Sequence, residues 1–420
     1  MKKNIFVFVL LFQFVFILGQ ESNEEKKFGI SFSGFVKNDV FLDARQTVAA
    51  REGHFLLWPS NENLDEFGED INAKPNLNIL AVQSRLSGKI TGPDAFGAKT
   101  SGVIEGDFFA QLNDNVNLFR LRHAFLKLSW PTVELITGQY WNPLFVTASF
   151  PGTVSFNTGT PLQSFARNPQ IRLTKHLGNL SLVGAMLAQR DYTSRGEIGA
   201  SSAYLRNAAI PDLHFQVHYG SKTNFFIGAG VAYKTIVPRL SSTMYGADTL
   251  TYKVDESVSG LTLIGFSKIK LDPLTVKLHA RYGENIPDVL SISGFAVKNV
   301  INPITGEREY TPLTNLTFWG EVHTNGEKIQ VGIFAGYLQN LGTRETMSSA
   351  GNDVYGLGTN IESLLRISPR FIWNSNKVRI ALEWEYTMAN YGSNYDVNFQ
   401  PASTTTVSNL RTLLSTYYFF

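Results

Sequence analysis

Arg120 and Arg122, with Glu105 and Asp107 a short way upstream, are the residues whose types and spacing first point to chemistry. In an extended segment a two-residue spacing puts Arg120 and Arg122 on one face, and likewise Glu105 and Asp107 on one face of their own segment. Arg366 and Arg370 share a face near the C-terminal end, and Arg167 and Arg172 follow a long stretch that lacks any acid. Rows of base and acid facing one another along a wet passage would set up a transverse field that orients polar solutes and slows large apolar ones. The same charges also suit solvated wall residues and plain ion pairs.

Catalysis fits less well. A hydrolase needs a Ser and a His placed together with an orienting polar group, and no such grouping is apparent. Gly228 and Gly230 in GAGVAY lack the strand-to-helix setting of a nucleotide loop. The chain has no cysteine, which excludes disulfides, thiolate metal sites and Cys nucleophiles together. It reads as a non-enzyme without a cofactor.

Charges arranged this way need a rigid wall, and the composition says which kind. Of the 420 residues 43% are apolar and 17% charged, with 35 Gly and 31 Phe. A soluble domain carries about 25% charge, so the deficit is in charge alone. After residues 5–18, no run of about 18 apolar residues could cross a bilayer as a helix. Residues 1–4 are basic, residues 5–18 form a 14-residue apolar run and Gly19 is small, the three parts of a secretory signal peptide over residues 1–19. Removal of Lys2 and Lys3 with that leader turns 37 basic against 35 acidic residues into 35 against 35. Such neutrality gives no reason to expect a nucleic-acid partner.

The rest of the chain alternates with a period of two. Val378, Ile380, Leu382, Trp384, Tyr386 and Met388 interleave with Arg379, Ala381, Glu383, Glu385 and Thr387, the mark of a strand with one apolar and one polar face. Sixteen strands are expected, at 28–43, 76–90, 100–111, 118–130, 133–140, 169–176, 180–190, 211–220, 223–235, 256–271, 274–284, 312–324, 327–340, 361–374, 377–389 and 406–420. Several exceed the usual strand length and suit a tilted membrane strand. Long and tiny connections alternate, with tiny turns at Asp272-Pro273, Asn325-Gly326 and Ser375-Asn376, and Asn-Gly favours a two-residue hairpin. Only 112–117 is short where a long loop is due.

The fold class is therefore all-β, a transmembrane antiparallel barrel over residues 20–420 in the outer membrane, with short periplasmic turns and long external loops. Trp130, Tyr140, Trp141, Tyr219, Tyr233, Tyr337 and Trp373 would supply interfacial girdles. His214 and His218 share a strand face without a third metal ligand and read as lumen residues. On the fourth strand both faces mix types; placing Arg120 and Arg122 inward leaves His123 and Lys127 for another subunit or the periplasmic rim. The closing strand ends on Tyr418 and Phe420, which resembles the C-terminal signature of bacterial outer-membrane barrels.

Several runs are familiar. FSGFVKNDVFLDARQ (32–46), SGVIEGDFF (101–109), FRLRHAFLKLSW (119–130), ITGQYWNPLF (136–145) and RNPQIRLT (167–174) resemble the DcaP-like porins, in particular a Bacteroidetes-type branch. That resemblance implies a homotrimer of sixteen-stranded barrels embedded in outer-membrane lipid, with a basic constriction favouring small anionic solutes such as dicarboxylates. It implies Arg120, Arg122, Arg167 and Arg172 as the basic rim, and Glu105, Asp107, Arg366 and Arg370 complete the expected pore lining. Some relatives carry a helical N-terminal extension, whereas about eight residues, 20–27, precede the first strand here. Residues 142–168 contain no Asp or Glu and one basic residue, Arg167. They occupy the place of the third external loop, which folds into the lumen in general porins, and their composition would spare buried charge there. The expected function is passive diffusion of small hydrophilic solutes with a mild anion preference. The alternative is a barrel component of a secretion or surface-lipoprotein complex.

Overall fold

The structure, a computed structural model, describes residues 28–110, 113–245 and 248–420. The leader expected over residues 1–19 lies outside the described residues. Among those described, sixteen strands close into one antiparallel barrel. They are β1 (Gly29–Asp43), β2 (Asn76–Leu80 continued by Arg85–Thr91), β3 (Lys99–Asp107), β4 (Arg120–Ser129), β5 (Val133–Trp141) and β6 (Arg167–Leu177). Next come β7 (Leu180–Leu187), β8 (Asp212–Gly220), β9 (Phe225–Ile236), β10 (Val258–Lys270) and β11 (Leu274–Glu284). The ring is completed by β12 (Glu307–Thr324), β13 (Ile329–Thr343), β14 (Ile361–Ser375), β15 (Val378–Tyr395) and β16 (Pro401–Phe419).

Each strand pairs with the next, and β16 returns to β1 with Phe35 opposite Phe419 and Asp43 opposite Arg411. Closure leaves no edge, so the backbone donors and acceptors of the wall are satisfied within it, as an apolar solvent requires. The period-two pattern decides the faces. On β15, Ile380 and Trp384 point outward at 39% and 40% exposure while Glu383 and Glu385 point inward at 0% and 1%. The outer belt continues through Phe32, Ile104, Leu126, Phe215, Leu263, Leu278, Phe318 and Phe371, all exposed. Phe420 exchanges both backbone hydrogen bonds with Gly34 at the seam. Deleting Phe420 is expected to lower the yield of folded barrel, read as loss of the heat-modifiable band on a gel.

Four features depart from the sequence reading. On β4 the register slips between Glu105 and Gly106, which pair with His123 and Leu121 and leave Arg122 as an extra residue. This bulge turns the strand over by one position. Arg120 and Arg122 face inward before it, and His123, Phe125 and Lys127 face inward after it, while Leu121, Ala124 and Leu126 face out. His123 and Lys127 are therefore wall residues of the lumen, and Lys127 Nζ pairs with Glu134 at 2.7 Å. The Asn325-Gly326 connection is a four-residue turn, 325–328, between Thr324 and Ile329. β15 and β16 run on as one long hairpin, so the last external loop is only 396–400. Of the expected girdle, Tyr219, Tyr233, Tyr337 and Trp373 are exposed outward, but Tyr140 and Trp141 turn inward against His123.

The main apolar core sits inside the barrel, toward the long-loop end. Its first part is a hairpin of Thr47–Ala50 with Phe55–Pro59 in the first long loop, whose second strand is buried at every position. Phe55, Leu57 and Trp58 pack with Phe109, Phe156, Phe165, Trp319 and Phe334. A full run of five buried residues is what two-sided burial demands, in contrast to the alternation of the wall.

Candidate functional site

Three groups of side chains line the interior. The first is a lattice of arginines and carboxylates on β2, β3, β4 and the start of β6. Arg122 donates to Glu105 Oε1 and Asp107 Oδ2, both at 2.8 Å. Arg120 lies 3.4 Å from Asp107 and 2.7 Å from Asp191, and Arg167 reaches Asp191 at 2.6 Å and 3.0 Å. Arg85 stands 3.6 Å from Asp107 and 3.7 Å from Glu105. Glu105 and Asp107 thus pair with basic groups on the neighbouring strands, side by side along the wall and not across the lumen. Trp141 lies beneath Arg167, ring centroid 4.9 Å from the guanidinium carbon, a cation–π contact that a dry site strengthens. Burial would raise the carboxyl of Asp191 in the loop 188–211, but the guanidiniums of Arg167, Arg120 and Arg51 outweigh it and hold that carboxyl well below the usual range.

The second group fastens residues 142–166, the third long loop, across the lumen. Glu383 accepts from the backbone N–H groups of Val154 at 2.6 Å and Ser155 at 3.1 Å, and Glu385 accepts from the Asn157 amide at 3.0 Å. Glu321 accepts from Gly152 N–H and is itself paired with Lys277 at 3.0 Å and Arg370 at 3.2 Å. Arg281 donates to Ser164 Oγ at 2.6 Å, and Trp319 Nε1 donates to Gln163 at 3.0 Å. Arg366, fully buried, donates to the carbonyls of Thr160 and, at 2.6 Å, of Leu57 in the first loop. Lys37 on β1 donates to Val154 O at 3.3 Å. A loop without acids can lie here because charged wall groups serve its backbone, leaving few of its polar atoms unpaired.

The third group surrounds a cavity of about 300 Å³ below the start of that loop, bounded by β4 to β9 and reaching Lys222 in a short turn. Arg172 projects into it. Its Nε donates to Gln170 at 2.9 Å, another nitrogen donates to Trp141 O, and among the described residues no carboxylate lies within ion-pair distance. His218 and His176 line the same cavity, bonded to Gln216 at 2.8 Å and Ser181 at 2.9 Å.

The eight site residues expected from the sequence thus fall into three places. Arg120, Arg122, Arg167, Glu105 and Asp107 share the lattice, Arg366 and Arg370 brace the third loop from the far wall, and Arg172 stands apart in the lower cavity. Sequence reasoning missed Asp191, which completes the lattice from a loop, and Glu321, Glu383, Glu385 and Arg281, which receive the third loop. The inward position of the four wall residues follows from alternation alone, but their partners in the third loop are more than 100 residues away, beyond the reach of a local pattern, and Asp191 lies in a loop that no alternation orients. Among the described residues no group of three or more His, Asp or Glu is placed to hold a metal ion.

No family model and no curated protein sequence matches the chain. Solved structures do. The outer-membrane channel DcaP of Acinetobacter baumannii superposes with a TM-score of 0.67 at 15% identity, over 96% of this chain and 100% of that one. OmpT of Vibrio cholerae, an outer-membrane protein solved in a trimer form, gives 0.55 at 10% identity over 94% and 99%. OmpF of Salmonella typhi in complex with daunomycin gives 0.50 at 11% identity over 93% and 97%. The chain has the fold of these outer-membrane barrels along nearly its whole length.

Proposed function

We propose that this chain is an outer-membrane porin, a homotrimeric passive channel for small hydrophilic solutes with a mild preference for anions. One observation carries the reading: a closed barrel whose outer belt is apolar encloses an inner wall crowded with Arg, Lys, Asp and Glu. Charge on the lipid side would cost about 2–4 kcal/mol per residue at mid-depth, so sorting of this kind separates a lipid face from a wet one. Proteoliposomes are expected to swell in isotonic succinate or arabinose faster than protein-free vesicles, and equal rates would sink the reading.

The anion preference is supported by the bookkeeping of charge within the lumen. Glu321, Glu383 and Glu385 are occupied by the third loop, and Glu105, Asp107 and Asp191 by arginines, whereas Arg172 keeps its charge uncompensated. We assign to Arg172 the field that attracts anions, and to Arg120, Arg122 and Arg167 the wall of the constriction, held in place by their carboxylates. In a salt gradient the reversal potential should lie on the anion side, and Arg172→Gln should move it toward zero. A clear cation preference in the wild type would contradict the assignment.

A further inference from the structure

We propose that the cavity under the third loop is a binding site for a small monocarboxylate with an apolar body, an aryl- or alkyl-alkanoate. The inference rests on the reading of the lumen as a solute path and names what pauses on it. The cavity lining mixes cationic and apolar groups. Arg172, Lys222, His176 and His218 line it, and Lys127 is already paired with Glu134, the one carboxylate among its described lining residues. Phe125, Phe145, Val146, Val183 and Phe226 supply its apolar surface.

Arg172 is preset for a carboxylate. Its guanidinium lies over the Tyr140 ring, centroid 5.0 Å away, and its hydrogen bonds to Gln170 and to Trp141 O fix the plane of the fork. A planar fork held this way accepts a carboxylate with less loss of freedom than a lysine would. The surroundings of Phe226 are also held still. Gln216 donates to Pro143 O at 2.8 Å and accepts from His218, and His218 meets the rings of Phe226 and Phe266 edge-on at 5.2 Å and 5.3 Å. This chain ties the base of the third loop to the wall and leaves the Phe226 face as an apolar shelf. A carboxylate held at Arg172 sets an aryl or alkyl body against Phe145, Val146 and Phe226, an apolar contact that the short chain of succinate cannot match. The volume, about 300 Å³, is at the small end of ligand sites, which span roughly 300–1,000 Å³.

The probes are 3-phenylpropionate and succinate, added to the full protein reconstituted in liposomes and followed by ligand-detected NMR, a readout that does not depend on conductance. 3-Phenylpropionate is expected to bind more tightly than succinate, and Arg172→Gln to weaken it about tenfold or more, the range of a lost charge-assisted hydrogen bond. Phe226→Ala, which leaves every charge in place, should weaken it severalfold. Heat-modifiable migration shows that each variant is folded. An unchanged affinity in either folded variant, or succinate bound as tightly as 3-phenylpropionate, overturns the proposal. Absence of swelling in proteoliposomes with binding intact would overturn the channel reading and leave the site standing.

Discussion

Asp191→Ala is expected to destabilise the barrel by about 3–5 kcal/mol, the loss found when one partner of a buried ion pair is removed. Its carboxylate is the shared acceptor of Arg120 and Arg167, at 2.7 Å and 2.6 Å, with its side chain 4% exposed. Without it both guanidiniums remain in the wall with too few acceptors, and Arg120 is left with Asp107, which Arg85 and Arg122 already share. The unfolding midpoint in denaturant, read by loss of heat-modifiable migration, should drop markedly, and a midpoint equal to wild type would mean that the lattice is not structural. The sign with pH follows from the depressed carboxyl. Its contribution is complete above about pH 4, the ordinary value for a free Asp, and fades as pH falls through the lower folded value.

The second large effect concerns the third loop. In a Glu383→Ala plus Glu385→Ala variant, Val154 N–H and Ser155 N–H lose their acceptor, and the Asn157 amide keeps only the Leu56 carbonyl at 3.1 Å. Hydrogen bonds to charged groups contribute about 1.5–3 kcal/mol each, so even with poor additivity several kcal/mol of docking energy disappear. Residues 160–164 stay bound to Arg366, Arg281 and Trp319, Gly152 stays bound to Glu321, and the loosening is confined to the tip at residues 153–157. Single-channel conductance should rise and open-channel noise increase, since a loop segment now moves within the lumen. A quiet channel of unchanged conductance would show that the tip does not restrict the path.

The barrel was legible in the sequence because its rules are local. A period of two assigns the face of every residue, and turn residues at alternating long and short spacings assign the strand ends, so the expected sixteen strands lie close to those observed. β4 escaped because one extra residue inverts the alternation midway; its trace in the sequence is the presence of charges on both faces, which strict alternation does not explain and a bulge does. The hairpin of the first loop escaped for a different reason. Phe55–Pro59 is a solid apolar run between His54 and Ser60, which marks two-sided burial, yet nothing in the run says that its partners are Phe109, Phe156 and Phe165 inside the lumen. The role of Arg172 against that of Arg120 and Arg122 was equally hidden. All three are inward arginines, and only the three-dimensional placement of Glu105, Asp107 and Asp191 separates the compensated charges from the uncompensated one.

Single-channel recording of the purified protein in a planar bilayer tests the central claim most directly. Discrete upward steps of conductance in potassium chloride, absent from a mock preparation of the same membranes, are the predicted result. A protein that inserts, migrates as a folded barrel and yet passes no stepwise current would contradict the account.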